Sequence, residues 1–258
     1  MRRLAVVIAA YDERDNIEPL VSRLRQTLDH LPGWQWHAIF VVAGTDGTRE
    51  ALERLARDRS DLEILYDSAP SGIGAAFRRG FAAVAPDVDF VVTMDADLNH
   101  QPEEISRLLD QAVRRQTDVL VGSRFVDGSS VRGTPLWKRM LSTSMNHLMR
   151  YLYRLEVGDK TSGFRVYRAA ALRELRFDND AFAFLPEILI RASAAGMRLG
   201  EEPIQFVFRE QGRSKMAFVQ TTLSYLGLLS TSVLGRGSRR PQSRNDTAGR
   251  TANRPRPG

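Results

Sequence analysis

Apolar runs at residues 4–9, 37–42, 62–66 and 88–94 alternate with segments of helical hydrophobic period at 16–31, 48–58, 74–85 and 102–115. This alternation constrains the fold more than any other property of the chain. Strands that read as continuous apolar runs are buried on both faces, and strands separated by helices are joined by crossovers, so the pattern predicts an α/β layer with a mainly parallel central sheet. In the first helical segment Ile17, Leu20, Val21, Leu24 and Leu28 fall close to one face, and Pro32-Gly33 ends it. Pro102 near the start of the fourth helix, followed by Glu103 and Glu104, suits a helix N-terminus. Further on, the pattern predicts a strand at 119–122, a long helix at 135–155, extended chain at 164–167, helices at 169–175 and 186–195, and a strand at 204–208. No internal repeat is visible.

The formal net charge of +6 raises the question of nucleic acid, and its location answers it. Residues 236–258 hold seven arginines and one aspartate, which accounts for the whole excess. That tail is rich in Gly, Pro, Ser and Asn, carries no aromatic ring to stack a base, and is expected to be disordered. No nucleic-acid partner is therefore expected. The chain has no cysteine, which excludes disulfides, thiolate metal sites and a thiol nucleophile, and suits a reducing compartment. The basic and apolar start of the chain resembles a signal peptide only superficially, because it runs straight into Tyr11-Asp12-Glu13-Arg14 and so reads as a first buried strand. Residues 218–234 are apolar but interrupted by Gln220, Thr221, Thr222, Ser224, Ser230, Thr231 and Ser232. An interfacial helix beside the Arg-rich tail and an ordinary docking helix both fit that pattern, and the domain reading adopts the first.

The chemistry is concentrated where the fourth apolar run ends, Phe90-Val91-Val92-Thr93-Met94-Asp95-Ala96-Asp97. In extended chain, alternate side chains share a face, which brings Asp95 and Asp97 together. Two adjacent carboxylates repel and raise each other's pKa unless a cation lies between them, and hard oxygen ligands favour Mg2+ or Mn2+. Strand C-terminal ends are also where open α/β sheets bind ligands. A metal and diphosphate site follows as the expectation.

Several further motifs stand in a common order: Val7-Ile8-Ala9-Ala10-Tyr11-Asp12-Glu13, Asp46-Gly47-Thr48, Gly72-Ile73-Gly74-Ala75-Ala76 with Gly80-Phe81, Asp95-Ala96-Asp97-Leu98-Asn99-His100, Gly122-Ser123-Arg124-Phe125, Thr161-Ser162-Gly163-Phe164-Arg165, and Arg209 through Gly212 to Ser214-Lys215. With these motifs the chain resembles, over about residues 4–216, the polyprenol-phosphate mannose synthases, which include the dolichol-phosphate mannosyltransferases and are inverting GT-A glycosyltransferases. The resemblance implies a Rossmann-like GT-A catalytic domain at 1–216; the residue pattern adds the interfacial helix at 217–235 and the disordered tail at 236–258. It implies transfer of a hexose, mannose from GDP-mannose in the first instance, to a polyprenyl phosphate, with a divalent cation, at the cytoplasmic face of a membrane.

Carried over residue by residue, the resemblance assigns Asp95, Asp97 and Asn99 to the metal. Ala9, Tyr11, Glu13, Val42, Asp95, Ala96, Asp97, Arg124, Arg209 and Lys215 go to the nucleotide sugar. Lys138, Arg139, Ser142 and Arg213 go to the acceptor phosphate, with Asp97, Arg124, Arg209 and Lys215 central to catalysis. The residue types suit those roles: cationic side chains hold two anions together, and an acceptor phosphate that is already anionic needs no strong general base. The segment 161–165 is expected beside the donor sugar, and Glu187 where relatives carry an acid.

Three departures qualify the match. The paired aspartates usual on the second strand are replaced in the stretch Phe40-Val41-Val42-Ala43-Gly44-Thr45, which leaves the base open. Asn99 stands for a glutamine, and Ala9 for a proline. The competing readings are a dinucleotide oxidoreductase resting on Gly72-Ile73-Gly74, where Phe77 takes the third glycine position, a nucleic-acid module resting on a pI near 10.0, a glucosyl donor in place of mannose, and a binding protein that has lost turnover.

Overall fold

A computed structural model of the chain describes residues 1–69, 72–134, 136–153 and 155–208. Strands β1 (Arg2–Tyr11), β2 (Trp34–Ala43), β3 (Leu62–Asp67) and β4 (Phe90–Asp95) are joined by helices α1 (Arg14–Leu28), α2 (Thr48–Ala56) and α3 (Ile73–Ala83). A 3-10 turn, Pro102–Glu104, leads into α4 (Ile105–Arg114), and β5 (Val119–Ser123), β6 (Ser130–Arg132) and α5 (Leu136–Tyr153) follow. The chain continues through β7 (Arg165–Arg168), α6 (Ala169–Glu174), α7 (Phe184–Ala194), β8 (Leu199–Pro203) and β9 (Gln205–Val207).

Seven strands form one sheet in the order β3-β2-β1-β4-β7-β5-β8, while β6 and β9 pair separately. All neighbours in the large sheet are parallel except β7, which runs antiparallel to both β4 and β5. The period of two in β1 divides the core: Leu4, Val6 and Ile8 pack with Ile17, Leu20 and Leu24 of α1, whereas Ala5 and Val7 join Phe77 of α3 and Ile188 of α7. Burying one such leucine or isoleucine stabilises the fold by about 1.5–3 kcal/mol. Helix α3 lies close to the sheet because Gly80 has no side chain; a Cβ there would come within 2.4 Å of Val7 Cγ1.

The alternation in the first half of the sequence thus gives the observed strands and helices, each end within a few residues. The second half departs from expectation. The strand expected at 204–208 is β9, and a further strand, β8, precedes it. The two are separated at Ile204, whose N–H donates to the Ser123 carbonyl at 3.0 Å, while β9 leaves the large sheet to pair with β6. Strand β8, Leu-Gly-Glu-Glu-Pro, has one large apolar residue and lies at the sheet edge, where Gly and Pro are tolerated, so it carries no strand signal. The segment 217–258, including the expected interfacial helix and tail, lies outside the described residues.

Candidate active site

The parallel strands place their C-terminal ends side by side, and Asp95 at the end of β4 pairs in register with Ala9 of β1. Strand β4 stops there. The chain turns through Ala96-Asp97-Leu98, with Leu98 at φ 60, and Asp97 accepts a hydrogen bond from the Asn99 backbone N–H at 3.0 Å and another from the Asn99 amide. Asp97 therefore sits in an Asx-type turn rather than on the strand. The two acids remain close enough to interact, and Glu13, between β1 and α1, faces them.

Charge is the main property of this corner. Burial pushes the Asp95 carboxyl up to about 7, with Asp97 and then Glu13 raising it further and Arg124 opposing them. Its side chain nevertheless keeps 30% of its exposure. Glu13 is also raised, by burial first and by Asp97, Asp46 and Asp12, although Asn16 donates a hydrogen bond to it at 2.6 Å. Asp46 behaves differently. Its burial is more than offset by hydrogen bonds from Thr48 and the Arg14 backbone, which leave it below the usual carboxylate range.

Opposite the acids, at the end of β5, Arg124 is held by Asp159: Nε and Nη2 donate to the two carboxylate oxygens at 2.7 and 2.9 Å, and the Arg124 backbone N–H adds a bond at 3.1 Å. Nη2 also donates to Thr161 Oγ1 at 2.7 Å, and the guanidinium lies 5.3 Å from the Phe206 ring centroid. Burial alone would raise the Asp159 pKa, but the charge and hydrogen bonds of Arg124 outweigh it and hold the carboxyl low. The loop 157–163 is fastened from beneath. Arg165, fully buried, donates to the carbonyls of Lys160, Ser162 and Leu185 at 2.8–2.9 Å, and Thr93 Oγ1 donates to the Gly163 carbonyl at 2.7 Å, seating Gly163 against Asp95.

Of the residues singled out in the sequence, Ala9, Glu13, Asp95, Asp97, Asn99 and Arg124 meet at these strand ends, and Tyr11 stands exposed beside them. Val42 and Ala96 are 1% exposed, so their side chains are buried in the core and offer no surface to a ligand. Lys138, Arg139 and Ser142 fall on α5 at positions whose side chains are outside the described residues. Arg209, Arg213 and Lys215 also lie outside them. Glu187 is an architectural group: it accepts from the backbones of Asp178 and Asn179 and from Arg191. The loop it braces packs its carbonyls on Gly72 and Gly74, where a Cβ would meet Asp180 and Asn179 backbone oxygens at 2.4 and 2.1 Å. Those glycines serve loop packing, which removes the basis of the dinucleotide reading. Sequence reading missed Asp159, although its place just before Thr161-Ser162-Gly163 was a usable signal. It also left His100 without a role.

The sheet order and acidic strand-end turn are those of a GT-A glycosyltransferase. The fold matches glucosyl-3-phosphoglycerate synthase from Mycobacterium tuberculosis with TM-score 0.67 at 18% identity, covering 93% of this chain and 82% of that one. Crystals of that enzyme have been obtained with Mn2+ and UDP. Residues 5–176 match glycosyl transferase family 2. The chain is 35% identical over 223 residues to polyprenol monophosphomannose synthase of Mycolicibacterium smegmatis, covering 84% of this chain and 82% of the relative. It is 32% identical over 221 residues to undecaprenyl-phosphate mannosyltransferase of Micrococcus luteus, covering 83% and 88%. The chain belongs to glycosyl transferase family 2, in its polyprenol-phosphate mannose synthase branch.

Proposed function

We propose that this glycosyltransferase moves a hexose, mannose first among candidates, from a nucleoside diphosphate to the phosphate of a polyprenyl lipid with inversion at the sugar. The observation that carries the site assignment is the surplus of carboxylate at Asp95, Asp97 and Glu13, set across a crevice from Arg124. The names of the relatives supply the substrate class.

The donor set fits a hard divalent cation. Asp95 and Asp97 offer carboxylate oxygens, and the Asp95 carboxyl, raised first by burial and then by Asp97 and Glu13, is a group that a bound cation would hold ionised. Among the described residues no group of three or more His, Cys, Asp or Glu side chains is arranged to hold an ion alone. A cation held by Asp95 and Asp97 would therefore have its shell completed by water and substrate phosphates, as Mg2+ sites commonly do. Bound there, Mg2+ or Mn2+ would supply Lewis-acid stabilisation of the departing diphosphate. Asn99, the third ligand in this reading, holds Asp97 in place through its amide and backbone N–H.

The chain's own groups do the rest. An acceptor phosphate oxygen forms a bond to the anomeric carbon as the bond from that carbon to the diphosphate breaks, and the single displacement inverts the centre. Arg124, oriented by Asp159, would face the developing anion without reorganising. The resemblance would assign Arg209 and Lys215 to the donor phosphates and Lys138, Arg139, Ser142 and Arg213 to the lipid phosphate, where their positive charge and hydroxyl suit an anion. Among the described residues no helix is long and apolar enough to cross a membrane. Met140 and Tyr151 on α5 are 70% and 84% exposed, which supports contact of this face with a lipid surface; the apolar sequence of 217–235 and the seven arginines of 236–258 are compatible with the same surface. The location proposed is the cytoplasmic face of a membrane.

The test is release of nucleoside diphosphate from a panel of nucleotide sugars, with and without a short-chain polyprenyl phosphate and with Mg2+ or EDTA. Release that needs both lipid phosphate and cation, greatest with GDP-mannose, supports the proposal. No release from any donor supports a ligand-binding protein without turnover.

A further inference from the structure

The acidic turn ends in a side chain for which the transfer chemistry has no use. His100 has a side chain only 3% exposed, and its Nδ1 is buried with no hydrogen-bond partner. An unpaired buried nitrogen costs on the order of 1–3 kcal/mol, so its persistence asks for a reason. The geometry gives one: Nδ1 lies 3.9 Å from Asp95 Oδ2, beyond hydrogen-bond length but within one side-chain rotation of it.

The ring itself has little room to move. It lies tilted on Phe164 with centroids 5.2 Å apart and edge-on to Phe206 at 5.5 Å, and the His100 backbone bridges to Phe206. Phe164 directly follows Gly163, which is seated on Asp95, and Phe206 also lies under Arg124. His100 is thus fixed by the segments that form both walls of the crevice. Asp95, whose side chain is 30% exposed against 3% for His100, is the partner able to turn.

We infer that His100 is a positioning residue: when the crevice takes up a divalent cation, Asp95 rotates toward the ring and accepts a hydrogen bond from His100 Nδ1–H, which fixes the carboxylate oxygen that faces the ion. This rests on the reading of Asp95 as a cation ligand. A carboxylate only accepts, so the imidazole is the tautomer with its proton on Nδ1. Partners of this kind orient ligating carboxylates, and removing one typically weakens metal binding about 10–100-fold.

Two substitutions in the full chain separate the hydrogen bond from the packing. His100→Phe keeps a ring between Phe164 and Phe206 and removes the donor; His100→Asn loses the ring but places an amide nitrogen near the position of Nδ1. The readout is binding of Mn2+ alone, followed by the resonance of the free ion, with a thermal melt on each protein. The expected result is about tenfold weaker Mn2+ binding in His100→Phe with its melting temperature kept within a few degrees, and recovery to within about threefold of wild type in His100→Asn. Wild-type affinity in His100→Phe overturns the inference, as does a loss in His100→Asn equal to that in a folded His100→Phe. Should His100→Phe fail to fold, His100→Leu takes its place as the variant without a donor, and the same comparison with His100→Asn decides: a loss in His100→Leu that His100→Asn restores supports the inference, and wild-type affinity in His100→Leu or an equal loss in both overturns it. If the wild-type chain binds no Mn2+, the cation reading falls and this inference with it, whereas equal binding by wild type and His100→Phe overturns this inference only.

Discussion

Replacing Asp95 by Asn should make the ligand-free protein more stable while removing its response to a divalent cation. The carboxyl is raised from 3.8 to about 7, first by burial and then by Asp97 and Glu13. A shift of roughly three units corresponds to at most about 4 kcal/mol of unfavourable interaction once the group is ionised. The side chain is 30% exposed, so solvent screening reduces this, and about 1–2 kcal/mol is the expected gain. For a chain of this size, that gain is a rise in melting temperature of about 2–8 °C. The sign with pH follows from the raised pKa. The folded state holds the Asp95 proton more tightly than the unfolded chain, so the wild type loses stability as pH climbs from about 4 to about 7 and is level above that. Asn has no proton to lose. The advantage of the variant should be absent at pH 4, grow through neutrality and be complete by pH 8. Melts of both proteins in EDTA at several pH values measure the difference, in which titrating groups that do not interact with Asp95 cancel. Repeating them with Mn2+ should raise the wild-type melting temperature and leave the variant where it was. A variant less stable than wild type at pH 8, or an advantage that does not change with pH, would refute the charge argument.

Other perturbations probe the remaining parts. Asp97→Ala should abolish transfer yet shift stability by less than about 1 kcal/mol, since it removes one acid from a like-charged group; a matching loss of melting temperature and activity would show a structural role instead. Asp159→Ala leaves the Arg124 guanidinium, 18% exposed, without its carboxylate, and should cost about 3–5 kcal/mol in thermal or urea unfolding. Because the Asp159 pKa is held below its ordinary value, that stabilisation should be present above about pH 4 and disappear as pH falls through the lowered value, which acid titration of wild type and variant will register. Deleting residues 236–258 should leave transfer to a detergent-dispersed acceptor unchanged and weaken flotation with anionic vesicles, most strongly at low salt.

The sequence showed the parallel half of the sheet because β1, β2 and β4 are covered on both faces, and such strands are written as unbroken apolar runs. It also brought Asp95 and Asp97 together, though by an argument the structure revises: β4 ends at Asp95, and the two acids meet because the chain turns at Leu98 rather than because they alternate along a strand. Where an element depends on distant partners, local pattern failed. Strand β8 is polar and is a strand because it lies along β5. Asp159 looks like a loop acid until Arg124, 35 residues earlier, is found to lie on it. The surroundings of His100 come from Phe164 and Phe206, remote in the chain. The two core valines Val41 and Val42 were legible as an absence of acids, and the structure adds that β2 uses both for packing.

The central claim is that this crevice joins a hexose to a lipid phosphate by a single displacement. Incubating the full chain with GDP-mannose, Mg2+ and a short-chain polyprenyl phosphate, then determining the mass and anomeric configuration of the lipid product, tests it directly. The account predicts one added hexose on phosphate, with configuration opposite to that of the donor and no product in EDTA. Retained configuration, or a lipid left unmodified with every nucleotide sugar while the folded protein is present, would contradict it.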